Sequence, residues 1–216
     1  MSKGFIAILS ILCLAGMAGA DHSLVGQSGV PYGGPELRPE MLFRGDLVPE
    51  RGIGCSNGSG TSGGPNDVCV GVTATTTPPF CITSHWYNIY TQVSPTITAL
   101  SFVCWTGFAA PGAEFGRQAG LNWGPGGHTA AINPAISVAD PWFFFGQNQP
   151  QANAGMRWGL SDGGPTYSWI KAPTCGLAGW GTLDSIGYPG NWCMSVSIDA
   201  PSPTELQSWG QIKNMF

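Results

Sequence analysis

Three serines in this 216-residue chain sit in the pattern Gly-x-Ser-x-Gly, at Ser56, Ser62 and Ser161. In a hydrolase that pattern is an elbow, a strand-to-helix turn that exposes the serine oxygen. Ser56 and Ser62 lie in Gly/Ser-rich loop sequence, and no helical pattern follows any of the three, so none reads as a nucleophile. Four carboxylates, Glu114, Asp140, Asp162 and Asp184, offer candidates for a pair working on a glycosidic bond. Nothing in their spacing brings two together, and Asp140-Pro141 and Asp162-Gly163-Gly164 read as turns. The histidines, His22, His85 and His128, show no Cys-x-x-Cys or His-x-x-x-His spacing, so no metal site or cofactor is expected. Arg44-Gly45-Asp46 matches the integrin-binding tripeptide but reads as a solvated turn, and Asn57-Gly58-Ser59 is a glycosylation sequon.

The aromatics are more informative. Nine Trp, ten Phe and five Tyr stand among 33 Gly and 18 Pro. Exposed Trp and Tyr faces stack on sugar rings, and contiguous exposed patches mark binding sites. Trp123 and His128, within Asn122-Trp-Gly-Pro-Gly-Gly-His128, and Trp180 in a second glycine-rich stretch are the candidate binding residues. Trp142-Phe143-Phe144-Phe145 reads instead as a buried strand.

The elements that must position these residues are short strands, because Gly and Pro at this density break long helices. Val68, Val70 and Val72 alternate, as do Met194, Val196 and Ile198 against Ser195, Ser197 and Asp199. Phe80–Thr83, Trp86–Thr91, Thr96–Trp105, Ala130–Ile132, Ala135–Val138, Trp142–Phe145, Met156–Leu160 and Tyr167–Lys171 add further strands. No strand–helix alternation occurs, so two packed antiparallel sheets are expected, a jelly-roll-like sandwich. Pro203-Thr204-Glu205-Leu206-Gln207 has a capping-box form, and Leu206, Trp209, Ile212 and Phe216 recur at helical steps, so a short helix is expected at the C-terminus.

The first twenty residues read as an export signal: Lys3, an apolar core from Phe5 to Leu14, and Ala18-Gly19-Ala20 as a cleavage site. Cys13 leaves with that segment. Six cysteines remain, Cys55, Cys69, Cys81, Cys104, Cys175 and Cys193, an even number for an oxidising compartment. Sequence neighbours close the smallest loops, so the expected pairs are Cys55–Cys69, Cys81–Cys104 and Cys175–Cys193. Without Lys3, seven basic residues face twelve acids. That balance offers no basic face for nucleic acid and no polybasic signal for membranes. No later apolar run is long enough to span a bilayer. The expected organisation is a signal peptide over 1–20, an extended N-terminal arm over 21–54, a sandwich over 55–200 and a helix over 201–216.

Residues 68–199 resemble secreted bacterial β-sandwich proteins. The pieces that carry the resemblance are Pro65-Asn66-Asp67-Val68, Thr96-Ile97-Thr98 followed by Gly107 and Pro111-Gly112-Ala113, and Tyr167-Ser-Trp-Ile-Lys171 with Cys175-Gly176, Trp180-Gly-Thr-Leu183 and Asn191-Trp-Cys-Met194. The tail Trp209-Gly-Gln-Ile-Lys213 looks like a closing helix seen on such proteins. The resemblance implies an extracellular sandwich with no catalytic residues to carry over. The expected function is a non-enzymatic binding or structural module of the extracellular space or cell envelope, with a glycan or an envelope protein as partner. The alternatives are a secreted glycan hydrolase and an envelope subunit that docks by its C-terminal helix.

Overall fold

The computed structural model describes residues 23–28, 41–56, 65–91, 100–122, 124–150, 156–162 and 166–199. The expected signal peptide and C-terminal helix lie outside them. The described residues form two antiparallel sheets and no α-helix. The eight-stranded sheet runs β1 (Ser23–Ser28), β3 (Arg51–Ser56), β10 (Arg157–Ser161), β5 (Phe80–Thr91), β14 (Met194–Asp199) and β2 (Met41–Phe43). Off this path, β13 (Asn191–Trp192) pairs with β10 and β8 (Gly126–Val138) with β5. The six-stranded sheet runs β12 (Leu177–Thr182), β11 (Ser168–Ala172), β4 (Asn66–Thr73), β9 (Trp142–Gln149), β6 (Leu100–Trp105) and β7 (Glu114–Leu121).

Side chains alternate along each strand, so one face of each sheet meets the other in a shared core. Val68, Val70 and Val72 of β4 and Phe143 and Phe145 of β9 meet Ile82, Tyr87 and Ile89 of β5 and Met194, Val196 and Ile198 of β14. Each such side chain, fully buried, is worth roughly 1.5–3 kcal/mol. The arrangement is sandwich-like. One polar chain crosses it. The Trp158 indole N–H donates to Gln147 Oε1 at 2.7 Å, and Gln147 Nε2 lies 3.2 Å from His85 Nε2. His85 Nδ1 lies 3.0 Å from the Ser195 carbonyl. A carbonyl only accepts, so Nδ1 carries the proton and Nε2 accepts from Gln147. Burial drives the His85 pKa down to about 3 and keeps the ring neutral.

Residues expected as an extended arm enter the eight-stranded sheet as β1, β2 and most of β3. Because β2 and β3 lie at different places in that sheet, the chain between them must cross β14, β5 and β10. It crosses on the outer face. Leu47 is fully buried there at φ 62°, against Trp86 and Cys193, with Met41 and Phe43 alongside. Within this crossing Arg44 is anchored, while Gly45 and Asp46 stay exposed in a turn, as expected for Arg44-Gly45-Asp46. Arg44 Nε donates to the Gly71 carbonyl at 3.0 Å, and Asp46 Oδ1 accepts from Val48 N at 3.0 Å.

One disulfide joins Cys55 to Cys175, 120 residues away. It links β3 of one sheet to the turn after β11 of the other. Closing a loop of that length stabilises by about 4–5 kcal/mol in the chain-entropy picture. The expected pairs Cys55–Cys69 and Cys175–Cys193 are not formed, and because Cys104 keeps its thiol neither is Cys81–Cys104. Alternation explains the difference. Cys69 lies on the outer face of the six-stranded sheet, Cys104 in the shared core, and Cys193 on the outer face of the other sheet. Cys81 sits between two core residues, Phe80 and Ile82, and so points away from the core. Burial pushes the thiols of Cys69, Cys104 and Cys193 up, which leaves them unreactive.

Candidate functional site

The outer face of the six-stranded sheet is aromatic at one end and charged at the other. Register decides which residues it carries. Gly71, Phe144 and Trp105 are cross-strand neighbours in one row, and Trp169, Cys69, Gly146 and Val103 in the next. Small residues thus occupy the middle of the sheet, and the large rings lie down over them. A Cβ on Gly71 would stand 2.8 Å from the Phe144 ring and 3.3 Å from that of Trp142. At the far end, Asn148 donates to Asp67 at 2.6 Å and accepts from Arg117 at 3.2 Å, while Arg117 pairs with Glu114 at 2.8 Å. Arg117 holds the Glu114 carboxyl below its ordinary range, and burial raises that of Asp67.

The rings meet edge to face, the arrangement their quadrupoles favour. Trp142 and Phe144 lie 6.1 Å apart at 89°, and Phe144 and Trp169 6.2 Å apart at 90°. Trp105 and Trp180 lie 5.3 Å apart at 81°. The strands of that last pair are four places apart, about 19 Å at the usual strand spacing. Their contact means that β12, whose pairing with β11 is bulged, folds inward over the face.

A groove of about 380 Å³ opens between Phe108, Trp142, Phe144, Tyr167 and Trp169, with Thr166 at its rim. Two of its walls are unusually open: Phe108 is 79% exposed and Tyr167 37%. Phe108 is nevertheless held firmly. Its loop is closed by Thr106 N to the Ala113 carbonyl at 2.8 Å and Gly112 N to the Thr106 carbonyl at 2.7 Å, and the Thr106 hydroxyl bridges to Ala113. Gly107, at φ 126°, makes the turn. The Arg44 guanidinium lies 4.3 Å above the Tyr167 ring, which fixes a positive charge beside the groove.

Of the three residues expected to bind, Trp180 belongs to this face. Trp123 lies outside the described residues. His128 is on β8, in the other sheet, so it does not join Trp180 in one site. Its Nε2 lies 2.6 Å from the Gly124 carbonyl and its ring packs on Tyr87, whose hydroxyl donates to the Asn122 carbonyl at 2.5 Å. Both side chains pin the turn before β8. Trp142-Phe143-Phe144-Phe145 is a strand, but only Phe143 and Phe145 face the shared core; Trp142 and Phe144 face outward. Phe108 and Tyr167 were not singled out from sequence. A usable signal was the alternation of Trp142 and Phe144, with Phe144 opposite Gly71.

The four carboxylates each have a different neighbour. Glu114 pairs with Arg117, and Asp162 with Arg51 at 2.6 Å. Asp184 accepts from the Thr166 hydroxyl at 2.7 Å, and Asp140 from Trp142 N at 3.4 Å. Among the described residues there is no group of His, Cys, Asp and Glu arranged to hold a metal, and no helix long and apolar enough to cross a membrane. The chain matches no known protein family, no curated protein and no solved structure.

Proposed function

We propose that the protein is a non-enzymatic, jelly-roll-like extracellular or envelope module that binds a glycan in the aromatic groove of its six-stranded sheet. The observation that carries this is Phe108, 79% exposed at the tip of a loop closed by its own hydrogen bonds. Phe108 adjoins the Trp142 ring at 5.4 Å and Trp142 adjoins Tyr167 at 6.1 Å, so the exposed rings form one contiguous aromatic patch, the kind that marks a binding surface. The groove's apolar side chains are aromatic, apart from Ala109, with no Leu, Ile or Val among them. An aliphatic ligand gains little from that selection. A sugar ring gains more, because its C–H face stacks on an aromatic ring while its hydroxyls reach a polar rim. Thr166, the Tyr167 hydroxyl and Arg44 supply that rim.

The test is affinity electrophoresis of the purified protein through gels containing cellulose derivatives, xylan, chitosan or pectin, with Phe108→Ala as control. Retardation of the native protein in one gel, lost in the variant, supports the proposal. Equal mobility in every gel rejects glycan binding and leaves the groove to a protein partner of the envelope.

A further inference from the structure

Trp142 walls a second cavity as well as the groove. This one, of about 280 Å³, lies around the edge of the indole towards the end of the shared core, over Phe115 and Phe143. Its rim carries Thr106, Ser137 and Asp140. The loop that presents Phe108 runs along both, with Thr106 and Gly107 beside the second cavity and Phe108 and Ala109 beside the groove. Each therefore has an aromatic floor and a polar rim, and the two meet at one ring. The second falls just short of the roughly 300 Å³ at which small-molecule sites begin. It suits an extension of the groove better than an independent pocket.

We infer that the groove and the second cavity are adjoining subsites for consecutive sugar rings, so that the unit recognised is an oligosaccharide of at least two residues. This rests on the glycan proposal. One ring stacks in the groove among Phe108, Trp142 and Tyr167. The next turns past Trp142 and places its hydroxyls against Asp140 and Ser137.

Calorimetric titration with the monomer, dimer and tetramer of three β-1,4-linked series, glucose, N-acetylglucosamine and xylose, tests it. In whichever series binds, the dimer should bind at least tenfold more tightly than the monomer. Asp140→Asn and Ser137→Ala should each weaken the dimer several-fold and leave the monomer unchanged. Asn keeps an acceptor for Trp142 N, and Ser137 is exposed, so both variants should fold. Equal affinity for monomer and dimer, or equal losses for both in the variants, overturns the second subsite and leaves the groove standing. No binding in any series, together with unretarded mobility in every gel, overturns both proposals.

Discussion

The two sheets expose chemically similar outer faces and treat them differently. Outside the eight-stranded sheet, Trp86 and Cys193 are covered by the chain between β2 and β3, with Leu47 fully buried as the plug. Covering that face costs a left-handed conformation at a leucine, which L-residues other than Gly and Asn rarely adopt. Outside the six-stranded sheet, Phe144 and Trp105 are buried against Trp142, Trp169 and Trp180, which stay partly exposed among the described residues, and one loop holds a further ring out into solvent. A fold that roofs one apolar face at the expense of backbone strain has a means of roofing the other. That rings on the second stay partly exposed among the described residues is the reason to propose it as a binding surface.

Substitutions at the two faces should therefore separate stability from binding. The largest stability loss is expected at the plug. Leu47→Ala should lower the free energy of unfolding by about 2–5 kcal/mol in urea, the range for a fully buried leucine, with glycan retention intact below the transition. If the loss is under 0.5 kcal/mol, the roof is loosely seated and the contrast fails. Next comes a probe in the layer between the faces. His85 has a folded pKa of about 3 and an unfolded one near 6.5. Between these values only the unfolded chain takes up the proton, so stability falls as pH drops through that window, by up to about 1.4 kcal/mol per unit. Above pH 6.5 the group contributes no slope. His85→Gln should show a shallower decline over the same range, and matching slopes would refute a buried neutral ring.

At the open face, Gly71→Ala should cost roughly 1–3 kcal/mol by overpacking and also abolish retention, because Phe144 and Trp142 must lift off the sheet. Smallest of all, Phe108→Ala should change stability by no more than about 0.5 kcal/mol, as exposed positions usually do. If Phe108→Ala unfolds the protein, the ring belongs to the core and the contrast between the faces collapses.

Much of the sheet content was legible because period-two patterns survive wherever one face is buried. Val68, Val70 and Val72, and Met194, Val196 and Ile198, are where alternation put them. Strand β7 escaped notice because Phe115, Gly116, Arg117 and Gln118 have no apolar alternation. It is held at its far edge by Gln118, whose side chain donates to the Ala131 carbonyl at 2.8 Å and accepts from Asn133 N at 2.7 Å. Such a link depends on a neighbour that local sequence does not specify. The disulfide was illegible for a related reason. Pairing depends on which face each cysteine occupies, and nearness in sequence is silent on that. On the aromatic face, Trp180 could be picked by type, whereas Trp142 and Phe108, which line the groove, gain meaning only once the strand register is known.

The crosslink between Cys55 and Cys175 also bears on how the protein would respond to being pulled. A load applied on either side of the crosslink passes through the sulfur bridge, across Cα atoms 6.0 Å apart, and bypasses the 120-residue span between them. Of the contour length the chain could release, roughly 400 Å stays locked. Under such a load the β1–β3 and β14 pairings would be lost first. Strands β4 to β11 and the loops between them, which carry every ring of the groove, would keep their connections, so the groove would outlast partial unravelling of the domain.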